Sequence, residues 1–127
     1  MVNFKIQTTF PVSPRIIYEA WLDSEKHSAM TRGAAQCSKE QGGSFTAWDG
    51  YITGINFKLS PHSEIIQTWR TSEFANNEKD SKLRIKIETH EKGCLLTLSH
   101  SDIPDGQSDY EQGWHDHYFA PMMAYFN

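Results

Sequence analysis

The chain has 127 residues, a formal net charge of −4 and 38% hydrophobic residues. A chain of this length buries a sizeable core without staples, and its acidic balance argues against a nucleic-acid surface or a basic membrane anchor. No apolar run approaches the roughly 20 residues of a membrane span, and "MVNFKIQTTF" lacks a basic segment followed by an apolar one, so no secretory leader is expected.

The first element is a half-buried strand, because "FKIQTTF" places Phe4, Ile6, Thr8 and Phe10 on one face. "VSPRIIYEAWLD" then reads as a helix, with Ser13 at the N-cap, Pro14 at the first helical position, and Ile16, Ile17, Ala20 and Trp21 as its apolar stripe. "DSEKHSAM" predicts a second short helix capped by Asp23 or Ser24. From residue 43 the period changes to two, and Asp49-Gly50 between two strand-like runs is a hairpin signal. Ile55, Phe57 and Leu59 share a face, joined by Tyr51 and Thr53 if no bulge intervenes. "SEIIQTWRT" puts Ile65, Gln67 and Trp69 together, "KLRIKIETH" puts Leu83, Ile85 and Ile87 together, and "CLLTLSH" puts Leu96, Leu98 and His100 together. Ser108 and Glu111 form a capping-box pattern ahead of a last helix from about residue 109 to 126. The pattern is α+β, a single domain over residues 1–127, with one sheet face to cover and one long helix to cover it.

The stretch "GWHDHYFAPMM" carries His115, Asp116 and His117, three metal-ligand types in a row. On a strand, His-x-His could chelate one ion. On a helix the two imidazoles lie about 200° apart and cannot, so no metal site is expected here. The helical stripe contains Tyr110, Trp114, Tyr118, Pro121 and Tyr125, with Met122 at its margin and His117 about 60° to one side. Pro121 cannot donate to the carbonyl of residue 117, which predicts a kink near His117. Gly113 costs about 1 kcal/mol relative to Ala inside a helix, either for close backbone approach or as a tolerated residue. Phe119, Met123 and Phe126 form a second apolar stripe. Either the short helices and the chain end cover it, or it is an interface for a second copy of the chain or for a partner.

At this point several blocks resemble a known family. "GGSFTAWDGYITG" is similar to the G-G-x-F-x-x-x-D-G-x-I-x-G stretch of the C-terminal domain of Hsp90 ATPase activators, and "IIQTWR", "LTLSHSDIP" and "GWHDHYFAP" resemble the following blocks in the same order. "PVSPRIIYEAWLD" resembles the first-helix motif. The resemblance is to the Aha1-like branch of the START/Bet v 1-like superfamily. It implies a helix-grip fold, a curved antiparallel sheet wrapped around the long C-terminal helix with two short helices closing one end. It also implies either binding of hydrophobic small molecules between helix and sheet or service as an interaction domain, while some wider relatives are cyclases or hydrolases. The family motif leaves the histidine positions open and gives them no role.

With the faces so assigned, the expected cavity lining is Tyr51, Thr53, Phe57, Gln67, Trp69, Ile85, Leu98 and His100 from the sheet, and Trp114, His117, Tyr118 and Met122 from the helix. This is a mostly apolar pocket with a few polar groups, the usual composition of a small-molecule site. A dyad of Cys94 with His100 fails, since six residues of strand separate them by about 20 Å. Cys37 and Cys94 fit neither a CxxC nor a zinc pattern, and two free thiols without an export signal suggest the cytoplasm. No phosphate loop or G-x-S-x-G elbow is present, so no cofactor is expected. Three readings follow. The first is a non-enzymatic protein holding a small hydrophobic or amphipathic ligand. The second is a chaperone-associated module acting through Phe119, Met123 and Phe126, and the third is a small hydrolase or cyclase using His100.

Overall fold

In the computed structural model, which describes residues 1–127, the period-two segments pair into one antiparallel sheet of seven strands. These are β1 (Val2–Phe10), β2 (Gln36–Cys37), β3 (Ser44–Ala47), β4 (Ile52–Ser60), β5 (Glu64–Thr71), β6 (Ser81–His90) and β7 (Gly93–Ile103), in the order β1-β7-β6-β5-β4-β3-β2. Two short helices, α1 (Pro14–Leu22) and α2 (Ser24–Thr31), follow β1. The last segment is one continuous helix in three parts: α3 (Tyr110–Trp114), a π-helical turn (His115–Phe119) and α4 (Ala120–Phe126). The sheet grips this helix, α2 packs on the π-turn and α4, and α1 packs on β6 and β7. The helix-grip expectation therefore holds. No helix is long and apolar enough to cross a membrane.

Helix starts follow local chemistry, with two differences. Asp23 accepts from the Lys26 amide at 2.9 Å and caps α2. Ser13 holds the N-cap position of α1 with Pro14 next, but its side chain makes no capping bond. The capping box at Ser108 does not form: Asp109 caps α3 by accepting from the Gln112 amide at 3.1 Å, while the Ser108 hydroxyl donates to Glu73 at 2.7 Å.

Strands β5, β6 and β7 alternate as read, with Ile65, Gln67, Trp69, Leu83, Ile85, Ile87, Leu96, Leu98 and His100 all buried on the inner face. Strand β4 does not. A register shift between Asn56 and Lys58 splits it, so Ile52 and Asn56 face inward before the shift and Leu59 pairs with Ile65 after it. Thr53 and Phe57, expected in the cavity, stand on the outer face instead, and Phe57 is 64% exposed. Apolar content misled here because the inward positions carry Gly54 and Asn56. A Cβ on Gly54 would lie 2.0 Å from the Thr68 carbonyl oxygen and 2.6 Å from the Phe45 ring, so no larger residue fits. Asn56 is buried yet paired, donating to the carbonyls of Ser38 and Glu40 and accepting from Gln67 at 2.9 Å.

The kink expected at Pro121 takes the form of the π-turn, in which the Ala120 amide bonds to the His115 carbonyl. One extra residue in a turn delays every later side chain by about 100°. Met122 and Phe126 thus take the inward places that α-helical spacing gives to Pro121 and Tyr125, and Tyr125 is left 48% exposed. The second stripe is accordingly no open interface. Phe119 is buried against Phe10 at a centroid distance of 6.3 Å, and Phe126 packs on the same ring at 6.2 Å. Only Met123 of that set remains exposed. Phe119→Ala is expected to cost about 3–5 kcal/mol in urea denaturation, whereas Met123→Asp should stay within about 0.5 kcal/mol; equal small losses at both would contradict this packing.

Candidate functional site

A cavity of about 270 Å³ lies between α3, the π-turn, the starts of β4 and β5's end, and the loop joining β3 to β4. Its wall consists of Trp48, Tyr51, Ile52, Trp69, Tyr110, Gly113, Trp114, His117 and Tyr118. Trp48, Tyr51, Gly113 and His117 are the more exposed of these and form its mouth.

The β3–β4 hairpin turns where Asp49-Gly50 indicates, but the left-handed backbone begins one residue earlier. Trp48, Asp49 and Gly50 have φ of 49°, 58° and 88°. A bulky residue in that region is strained by roughly 1–3 kcal/mol and persists because its surroundings hold it. The indole lies on Gly33, where a Cβ would come within 2.6 Å of the ring. Asp49 clamps the loop, its amide donating to the Ala34 carbonyl at 2.9 Å and its carboxylate accepting from the Ala34 amide at 3.3 Å. The Trp48 indole N–H is buried without a protein partner.

Four other rings of the wall, Trp114, Tyr118, Tyr110 and Tyr51, have their polar groups engaged with partners. Trp114 Nε1 donates to His100 Nδ1 at 3.1 Å. In the neutral ring Nε2 then carries the proton and donates to Ser81 Oγ at 2.8 Å, and Ser81 donates to the Trp69 carbonyl at 2.8 Å. His27 repeats the device from α2: its Nδ1 donates to the Trp21 carbonyl at 2.8 Å, and its Nε2 accepts the Tyr118 hydroxyl at 2.8 Å. The Tyr110 hydroxyl donates to Gln107 at 2.9 Å and accepts from Thr71 at 2.7 Å, and the Tyr51 hydroxyl donates to Glu73.

Burial shifts these groups as desolvation requires. It lowers His100 to about 3 and also lowers His27, so both imidazoles are neutral. It raises Tyr118, Tyr110 and Tyr51, the last reinforced by the bond to Glu73. The hydroxyls of Tyr51 and Ser108 hold Glu73 below the usual carboxylate range. Burial, with Asp23 nearby, pushes the Cys37 thiol up to about 11, so its position 3.7 Å from His27 creates no thiolate nucleophile. His100, with both nitrogens engaged inside the core, has no open position for acid–base work.

Of the expected lining residues, Tyr51, Trp69, Trp114, His117 and Tyr118 meet at the cavity. Gln67, Ile85, Leu98, His100 and Met122 face inward but lie in the packed core behind the wall, and Thr53 and Phe57 are on the opposite sheet face. Trp48, Ile52, Tyr110 and Gly113 complete the wall and were not in the expected set. Two of these were within reach of helical spacing, since Tyr110 lies one turn before Trp114 and Gly113 one turn before His117. The histidine pair diverges as the helix dictates: His115 packs on Phe119 at 5.5 Å and His117 on Trp48 at 5.3 Å. Gly113 has open space beside it, for a Cβ there would meet no atom within 4 Å. Close backbone approach is therefore not its reason, and its missing side chain leaves the mouth of the cavity clear.

Comparison with known proteins places these features in company. Residues 11–127 match the family model described as "Activator of Hsp90 ATPase homolog 1-like protein". The chain is 32% identical over 116 residues to an "Activator of 90 kDa heat shock protein ATPase homolog" of Dictyostelium discoideum, an alignment covering 88% of this chain and 30% of that protein. It spans about a third of the length of the curated relatives it matches. Among solved structures, an Hsp90 activator from Plasmodium falciparum superposes with a TM-score of 0.88 at 18% identity, covering 98% of this chain and 96% of that one. The Aha1 dimer from Colwellia psychrerythraea superposes with a TM-score of 0.78 at 15% identity, covering 99% and 94%. At these identities the superpositions establish the fold alone.

The two buried imidazoles generate a pH dependence of stability. Each stays neutral in the folded chain but takes up a proton near pH 6.5 once unfolded. Stability is therefore full above pH 6.5 and is lost as the pH falls from there toward the folded value, by up to about 1.4 kcal/mol per pH unit for each ring. Denaturant unfolding at pH 7.5, 6.0 and 5.0 should show this loss before carboxylates titrate, and a flat profile over that window would contradict the assignment.

Proposed function

The chain belongs to the Activator of Hsp90 ATPase homolog 1-like protein family, and on that footing we propose that it is a chaperone-associated interaction domain that docks on Hsp90 and raises its ATPase rate. The observation that carries this reading is the extent of the family match, which runs from the turn after β1 to the last residue and so takes in the gripped helix and the cavity. The contact surface on this chain is the outward strip of β4, where Ile55 and Phe57 stand on one strand face and are 47% and 64% exposed. Adjacent exposed apolar residues on a sheet face are a common docking feature. Two free thiols fit a reducing compartment.

A second reading is favoured by a separate observation. The cavity is open, walled by aromatic rings and left unblocked by a helix glycine that packing does not require, which supports retention of a small hydrophobic or amphipathic molecule. The two readings use different surfaces and are compatible.

Adding the purified chain to its cognate Hsp90 should raise the steady-state ATPase rate, and Phe57→Ser should lower that stimulation several-fold while leaving the denaturation midpoint unchanged. No binding by calorimetry and no change in ATPase would remove the first reading. For the second, native mass spectrometry should find a retained small molecule that Gly113→Leu displaces.

A further inference from the structure

We infer that the ligand of this cavity is a small organic cation of the quaternary-ammonium type, held by aromatic rings with a carboxylate behind them. The inference rests on the cavity reading above and gives it a chemical class.

Six aromatic side chains, Trp48, Tyr51, Trp69, Tyr110, Trp114 and Tyr118, supply most of the wall, and no Lys or Arg belongs to it. The hydrogen-bonding groups of four of these rings are used on the far side: Trp114 to His100, Tyr118 to His27, Tyr110 to Gln107 and Tyr51 to Glu73. A strongly polar head would find few free groups in the wall, the indole N–H groups of Trp48 and Trp69 and the His117 ring, and stripping such a head of water without replacing its bonds is costly. What the wall offers is π-electron density, which attracts a cation that is weakly hydrated.

Each outward hydrogen bond adds to that attraction. A ring that donates its proton outward gains electron density, and Tyr51 donates to a carboxylate, the strongest of these acceptors. Glu73 also accepts from Ser108 and is held ionised, so a negative charge stands one hydrogen bond behind the wall.

Shape narrows the class further. Trp69 and Tyr110 meet at 80°, Trp48 and His117 at 70°, and Trp69 and Trp114 at 39°. Walls set so steeply to one another make a box for a rounded group, whereas a planar ligand needs parallel faces. The volume of about 270 Å³ equals the liquid share of about nine water molecules. That admits a trimethylammonium head with a short stem and is too small to enclose the full-length tails of a lipid.

The test titrates the intact chain with choline and with 3,3-dimethyl-1-butanol, its neutral isostere of the same shape, following tryptophan fluorescence and calorimetry. Choline should bind at least about tenfold more tightly than the alcohol. Glu73→Gln should weaken choline about two- to fivefold at low salt and leave the alcohol unchanged, and Gly113→Leu should remove both. Near-UV circular dichroism of each variant reports whether it is folded. Equal affinity for the two compounds would overturn the cation and leave an apolar cavity standing. Binding of neither by the folded wild type would overturn the inference, and the native mass spectrum then decides the cavity reading on its own.

Discussion

The Trp114 indole N–H donates a hydrogen bond to His100, and the seat of the C-terminal helix on the sheet depends on that bond. A neutral imidazole can accept on one side and donate on the other at fixed geometry. His100 uses both sides, and its second bond runs through Ser81 to the backbone of β5. The helix is thereby tied to three strands through one buried chain in which every member is satisfied, the condition under which a polar network rigidifies a core. His27 does the same for Tyr118 from the opposite side. Trp114 and Tyr118 are thus held one turn apart by two imidazoles, with Trp21 stacked on both at 6.2 and 5.1 Å. The cavity exists because these rings are fixed from behind and do not collapse into it.

Much of the fold was legible because β5, β6 and β7 alternate without interruption and because Asp23, Pro14 and Asp49-Gly50 carry local chemistry that tertiary packing did not override. The two misread faces share one cause, a single residue inserted into a repeat. In β4 the shift at Asn56 exchanges inner and outer faces, and the buried Asn56 looks from composition like an exposed position. In the helix the π-turn rotates the later side chains, which put Tyr125 outside and Phe126 inside. Periodicity reads faces only while the period is unbroken. Pro121 did mark where the helix would depart from ideal form, though not that the departure would add a residue to a turn.

The candidate site divides along the same line. Its helical contributors follow from Trp114 by spacing of four in either direction, so Tyr110, Trp114 and Tyr118 stand together. Trp48 enters from a loop whose three left-handed residues have no period at all, and its place is set by Gly33, a residue with which it shares no sequence pattern. Long-range clamps of that kind are invisible until the chain is folded. Gly113 had a visible helix cost but no visible cause, and only the empty space beside it supplies one.

The strand order carries an implication for how the chain is made. Of this sheet's strands β1 is synthesised first, yet its hydrogen-bonding partner is β7, with Ile6 opposite Leu98 and Phe10 opposite Cys94. During synthesis Ile6 and Phe10 have no strand partner until nearly the whole sheet has emerged, and Phe10 waits longer still for Phe119 and Phe126. Non-local pairing of this sort is slow and leaves an apolar strand open to wrong partners. Among the seven strands of this sheet, β1 therefore waits longest for its partner.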